Sequence, residues 1–150
     1  MGDDLSRVLA TSQAERLATG FVFTEGPLWH PDGFYYFVDI RKSHLHRITP
    51  GKPAELVRAD TGEGNGTTFD LQGRLVICEG ANRRVTRWSA DGGSEVLGDN
   101  TVMWASDYPH TDGIWPESSK YIEEQFGHLP KDVVHRITCE NAGKLYGLIQ

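Results

Sequence analysis

From about residue 24 to residue 98, apolar side chains come in short runs separated by Gly, Pro, Asp and Asn. Phe34 to Val38, Leu45 to Ile48, Leu75 to Cys78 and Val85 to Trp88 are of strand length and are bounded by turn formers, so they read as strands rather than helices. Pro31-Asp32-Gly33, Leu71-Gln72-Gly73 and Asp91-Gly92-Gly93 place glycine where a tight connection needs a positive φ, which makes the flanking runs hairpins. After Asp99 the pattern changes. Thr101 to Trp104 reads as one buried strand, Ser106 to His110 as the loop at its end, and Pro116 to Ser119 as the approach to a helix with a capping hydroxyl. That helix is expected to run to about Phe126 and to break over Gly127 to Pro130. A second, from Lys131 to about Leu145, carries Val133, Val134, Ile137 and Leu145 at helical spacing, with an interruption at Asn141-Ala142-Gly143.

The strand region repeats. A shift of 40 residues places Glu25-Gly26-Pro27-Leu28-Trp29 on Asn65-Gly66-Thr67-Thr68-Phe69, and Gly33 to Asp39 on Gly73 to Glu79. The same shift places Leu45-His46-Arg47-Ile48 on Val85-Thr86-Arg87-Trp88, and Ala54 to Val57 on Ser94 to Leu97. Four short strands in a unit of about forty residues is the signature of a β-propeller blade, which buries its two faces only against neighbours. An antiparallel sandwich with evenly spaced strands would show the same periodicity. The expected fold is mainly β: two four-stranded blades of an incomplete propeller over residues 1–98, then a short strand and two helices over 99–150. Trp29 and Phe69, equivalent residues of the two innermost strands, are expected to pack the blades together.

Composition narrows the function. With 15 Lys and Arg against 21 Asp and Glu, the net charge of −6 gives no attraction to nucleic acid or an anionic membrane. The longest apolar runs are strand-length and the Met1 end carries no basic and apolar leader, so a cytoplasmic chain is expected. Cys78 and Cys139 lack metal-ligand spacing and read as free, buried thiols. His44 and His46 fall on one face of a strand in the first blade, an unpromising zinc pair. Asp39 and Glu79 read as repeat-equivalent turn residues, and Arg83, Arg84 and Arg87 as a solvated blade face.

Thr24-Glu25-Gly26-Pro27-Leu28-Trp29, Val38-Asp39, Gly64-Asn65-Gly66, Phe69-Asp70 and Gly73-Arg74-Leu75, in this order and spacing, resemble the opening of the senescence marker protein, gluconolactonase and luciferin-regenerating enzyme family. The resemblance covers roughly residues 15 to 98 and implies a six-bladed propeller that hydrolyses lactones with a divalent cation, often calcium, in its central channel. It implies that Glu25 ligates the metal and that Asn65 contacts substrate or metal-bound water. By the repeat, both stand at the start of an innermost strand and face one axis. A carboxylate and an amide carbonyl are hard donors suited to calcium, which takes six to eight oxygens. Read without the resemblance, Glu25 is a solvated residue before a turn and Asn65 a turn former between two glycines. The further ligands that the family draws from later blades have no counterpart in this sequence.

The last fifty or so residues resemble a second family, the metal-dependent amidohydrolases of the aminocarboxymuconate-semialdehyde decarboxylase type. Met103-Trp104, Ser106-Asp107-Tyr108-Pro109-His110, Trp115-Pro116-Glu117-Ser118, Leu129-Pro130, Asn141-Ala142 and Leu145-Tyr146-Gly147-Leu148 carry it. It implies the eighth strand and closing helices of a (β/α)₈ barrel, with Asp107 a ligand of zinc or a similar metal at a strand's C-terminal end. Two fragments joined near residue 99 by a fused or rearranged reading frame fit both resemblances. Three functions follow: a calcium-dependent lactonase remnant, an amidohydrolase or decarboxylase remnant, and a non-catalytic partial propeller that self-associates through open blade edges.

Overall fold

The computed structural model describes residue 11 and residues 13–149. Its order is β1 (Thr24–His30), β2 (Phe34–Asp39), β3 (His44–Ile48), β4 (Glu55–Arg58), β5 (Gly64–Phe69), β6 (Leu75–Glu79), β7 (Arg84–Trp88) and β8 (Ser94–Val96). Helices α1 (Ser118–Phe126), α2 (Lys131–His135) and α3 (Asn141–Leu145) follow. The strands make two four-stranded sheets, ordered β1-β2-β3-β4 and β5-β6-β7-β8. The described residues divide into two compact units at Arg83/Arg84. The boundary at residue 98 follows a different property, the change in sequence pattern.

The forty-residue repeat holds at the level of individual pairings. Thr24 lies opposite Asp39 and Leu28 opposite Tyr36, with one extra residue in β1 between them. Gly64 lies opposite Glu79 and Thr68 opposite Val76, with the same extra residue in β5. Both innermost strands are therefore bulged at the Glu25 and Asn65 motifs. Pairing of Arg47 with Glu55 recurs as Arg87 with Glu95. Each pair also forms an ion pair, Nη2 of Arg47 to Oε2 of Glu55 at 2.6 Å and Nε of Arg87 to Oε1 of Glu95 at 2.6 Å.

Turns repeat as well. Gly33 N–H donates to His30 O at 3.0 Å and Gly73 N–H to Asp70 O at 2.9 Å, with positive φ at both glycines. Ser43 N–H donates to Ile40 O at 3.0 Å and Arg83 N–H to Gly80 O at 3.3 Å, with φ of 52° and 50° at the two non-glycine residues. Identical backbone paths drawn from different side chains mark two copies of one unit.

In the first unit the core centres on Val38, Leu45 and Ile48 of the first sheet and Leu75 and Ile77 of β6, all at most 8% exposed. The Phe69 ring meets the first sheet edge-on, 5.3 Å from His30 and 6.2 Å from Tyr36. The equivalent Trp29 does not serve the same purpose: it is 49% exposed and touches Tyr35 of its own sheet. The expectation that both aromatics pack blade on blade holds for Phe69 alone, because Trp29 lies on the outward face of the first sheet. Both cysteines are free, as expected, but exposed rather than buried.

In the second unit, Thr101 to Trp104 is not a strand. Asp99–Thr101 forms a 3₁₀ turn and Val102 is extended with φ −97° and ψ 135°, but no neighbouring strand pairs with it among the described residues. Its polar backbone is satisfied from the helical side. Asn141 Nδ2 donates to Asp99 O and Val102 O at 2.7 Å each, and Trp104 N–H donates to Ile137 O at 3.0 Å. Helix α1 spans the expected residues, but Glu117 occupies the N-cap without a side-chain cap bond and Ser118 already lies in the helix. The second helical stretch is not interrupted at Asn141-Ala142-Gly143. It runs from α2 through a π-helical segment, Arg136–Glu140, into α3. Gly143 tolerates this because it is buried, where a Cβ would lie 2.8 Å from the Ile149 side chain.

Candidate functional site

Glu25 stands in the bulge of β1 with an exposed side chain, and its Oε2 accepts the Gly26 N–H at 3.3 Å. Gly26 has a φ of +55°, and a Cβ there would lie 2.5 Å from the Asn65 carbonyl oxygen. Only glycine meets both conditions, so the Glu-Gly-Pro motif is fixed by close backbone approach as well as by any chemistry of Glu25. Thr67 Oγ1 donates to Gly26 O at 2.7 Å, tying the two bulges together. The fold thus brings the backbones of the two motifs into contact, and both Glu25 and Asn65 present their side chains to solvent. Beside Glu25 lies an open hollow of about 530 Å³ whose walls include Leu17, Phe21, Pro27, Tyr35 and Phe37.

Asp39 and Glu79 are deeply buried, at 0% and 5% exposure, and Asp39 holds the entry loop of its blade. Asp39 accepts the Val22 N–H at 3.0 Å and the Phe23 N–H at 3.1 Å; Glu79 accepts from Asn82 Nδ2 at 2.7 Å, beside Gly62. Burial pushes the Asp39 carboxyl upward, but the two N–H donors and the nearby Lys42 outweigh it and hold it below the ordinary range. Committed to loop backbone, the Asp39 carboxylate is a structural clamp.

His44 and His46 do share one face, with ring centroids 5.6 Å apart. His46, however, stacks on Phe37 at 5.3 Å and meets Phe21 edge-on at 5.0 Å, and its buried Nε2 has no hydrogen-bond partner. Burial first, then the neighbouring His44, pushes its pKa down. This is an aromatic packing position. Arg87 of the basic cluster is taken up by Glu95.

Asp107 sits in a turn with φ +57°, exposed, at the end of the irregular segment rather than of a strand. His110 N–H donates to Asp107 O at 2.8 Å, and Gly113 closes the turn against the backbone carbonyls of Ser106, Asp107 and His110. His110 Nδ1 lies 3.5 Å from Asp107 Oδ2 and hydrogen-bonds Asp112, whose carboxyl that bond holds below its usual range. Among the described residues, Asp107, His110 and Asp112 form the one group of three His, Cys, Asp or Glu side chains whose ligand atoms converge, all within 4.8 Å. The sequence points to Asp107 alone, with His110 in the loop after it. The spacing Asp-x-x-His-x-Asp around Pro109 was the available signal for the other two.

The donors suit hard or borderline cations in kind but not in number. Glu25 and Asn65 supply two side-chain oxygens where calcium takes six to eight. Two carboxylates and an imidazole are ligands that zinc accepts, yet all three residues here are exposed on one turn.

Two bulged, four-stranded antiparallel sheets in exact forty-residue repeat define a partial β-propeller. The chain belongs to the SMP-30/gluconolactonase/LRE-like family, whose model matches residues 23–112. An amidohydrolase model matches residues 93–148. Among solved structures, a gluconolactonase from Xanthomonas campestris is 28% identical with a TM-score of 0.49, over 53% of this chain and 27% of that one. A second structure, of a protein assigned as a gluconolactonase, is 26% identical with a TM-score of 0.54, over 64% of this chain and 33% of the other. The chain thus spans a third or less of these proteins. No sequence among curated proteins matches it. Among the described residues no helix is long and apolar enough to cross a membrane.

Proposed function

We propose that this chain carries two blades of a lactone-hydrolysing propeller, with Glu25 as a donor to a divalent cation, calcium best suited, and Asn65 as a contact to a small lactone. The observation that supports it is the docking of the Glu25-Gly26 bulge on the Asn65 backbone, inside the segment that matches the lactonase family. A bound cation would polarise the lactone carbonyl. Glu25 contributes negative charge at an open bulge, and Gly26 fixes where that carboxylate starts; two donors leave the site incomplete in one copy. Weak calcium binding, in the millimolar range typical of poorly caged sites, is expected by titration calorimetry and should vanish in Glu25→Gln. Binding that is the same in the variant would refute the role of Glu25.

The convergence of Asp107, His110 and Asp112 favours a second reading, in which the tail retains a zinc-binding turn related to the amidohydrolase match. Zinc kept through purification, and lost in His110→Ala, would support it; zinc-free protein that takes up none on titration would rule it out.

A further inference from the structure

Among the described residues of the first unit, two sheet faces carry no neighbouring sheet, and the repeat says what each one fits. Residues opposed in an antiparallel pair share a face. Leu28 with Tyr36, and His30 with Phe34, lie on the inner face of the first sheet, where Phe69 packs. Trp29 with Tyr35, Phe37 with His46, and Leu56 opposite His46 lie on its outer face; Phe21 covers Phe37 and His46 there, while Trp29 stays 49% and Leu56 53% exposed. In the second sheet Phe69 with Leu75, and Thr67 with Ile77, face the first sheet, while Thr68 with Val76, and Cys78 two residues on, face away. By the forty-residue shift, the open face of the first sheet is the counterpart of the occupied face of the second, and the open face of the second is the counterpart of the occupied face of the first.

We propose that these two faces dock head to tail between copies of this chain. Trp29 of one copy would sit on β6 of the next, over Val76, as Phe69 sits over Tyr36 within the chain. The hollow that Glu25 lines together with Leu17, Phe21, Pro27, Tyr35 and Phe37 offers apolar side chains a seat. Thr61 N–H donates to Ser43 O at 2.8 Å between the repeats, and the counterpart groups are the Phe21 N–H and the Arg83 carbonyl. Arg83 holds its carbonyl in the same turn as Ser43, with φ of 50° against 52°. Two other internal bonds have no counterpart. Ser43 Oγ, which accepts the Glu63 N–H at 2.9 Å, becomes Arg83, and the donor Thr67 Oγ1 becomes Pro27. Association between copies is therefore weaker than the packing within one and depends on concentration. It uses faces, whereas pairing through strand edges would leave both faces wet.

The contact is heterologous, so its two halves can be disabled separately. Full-length chain in sedimentation velocity should associate as concentration rises, and Trp29→Lys and Val76→Glu should each remain single copies. Mixing these two variants should give a one-to-one complex that grows no further, since one intact face of each kind remains. Exposed Cys78 supplies a readout that needs no variant: its alkylation rate should fall by roughly tenfold as the chain is concentrated past its dissociation constant. Cys139, also exposed, should alkylate at the same rate throughout. Single copies at every concentration, association that both substitutions leave intact, or Cys78 reactivity insensitive to concentration would each overturn the proposal. Should either variant fail to fold, the Cys78 measurement decides alone. None of these readouts depends on lactone hydrolysis or on metal.

Discussion

The two glycines of the repeated motif look alike in sequence and differ in what they do. Gly26 combines a φ of +55° with a Cβ position 2.5 Å from the Asn65 carbonyl, whereas Gly66 has open space around it and a φ outside the left-handed region. Gly26→Ala should therefore cost at least about 1–2 kcal/mol from the backbone conformation alone. Gly66→Ala should stay within about 0.5 kcal/mol of wild type in urea denaturation, and equal effects would contradict the bulge geometry. Two further residues contribute to acid stability. Asp39 has a folded pKa below its ordinary value, so its stabilisation is present above the ordinary carboxylate range and is lost as pH falls through the folded value. His46 is also depressed, and neutral imidazole is the form its aromatic slot favours. Its contribution is whole above the ordinary histidine range and declines as pH falls below it. Denaturation midpoints should thus fall between neutral and mildly acidic pH in the wild type, and that first part of the slope should flatten in His46→Phe. An unchanged slope would show that His46 is not its source.

At the level of elements, the strands were legible because local pattern and repeat agree: each apolar run found a partner run at fixed distance, and turn glycines set the register. The segment from Thr101 to Trp104 has the apolar pattern of a strand, but a pattern cannot supply the neighbours that a strand requires. Without them its carbonyls turn to the helical side, to Asn141. Asn141→Ala should leave two part-buried carbonyls short of a donor, costing about 1–3 kcal/mol. Faster amide exchange should appear across residues 99–104 and in α3, while exchange in β2 and β3 stays as in wild type. Trp29 departs from expectation for a related reason: sequence equivalence to Phe69 gives the residue's place in the blade, not whether another blade covers it. Truncating Phe69 to Ala should cost on the order of 3 kcal/mol, and Trp29→Ala clearly less, because about half of the indole is already wet. The candidate ligands Glu25 and Asn65 were readable from the motif, whereas the contact between their backbones follows from the two bulges. The convergence of His110 and Asp112 on Asp107 depends on a turn path that no periodicity encodes.

For the whole molecule, the count of donors governs what one copy can do. Hydrolysing a lactone requires a polarised carbonyl and an activated water held together, and a cation that performs either task must be caged by several ligands. This chain places Glu25 and Asn65 at adjacent bulges of the first unit, and it spans 33% of the solved gluconolactonase-type structure it resembles with a TM-score of 0.54. Asp107, His110 and Asp112 belong to the second unit and to the segment matching another family. Purified protein in millimolar calcium, zinc or manganese is accordingly expected to hydrolyse gluconolactone no faster than buffer at concentrations where it is a single copy. The decisive assay follows lactone opening by pH-stat across a dilution series, with Glu25→Ala as control. A metal-dependent rate per chain that persists at high dilution and is abolished by Glu25→Ala would show that two blades suffice, against the ligand count. A rate that emerges only on concentrating the protein would place catalysis in an assembly of copies, where donors from neighbouring chains complete the cage that one chain leaves open.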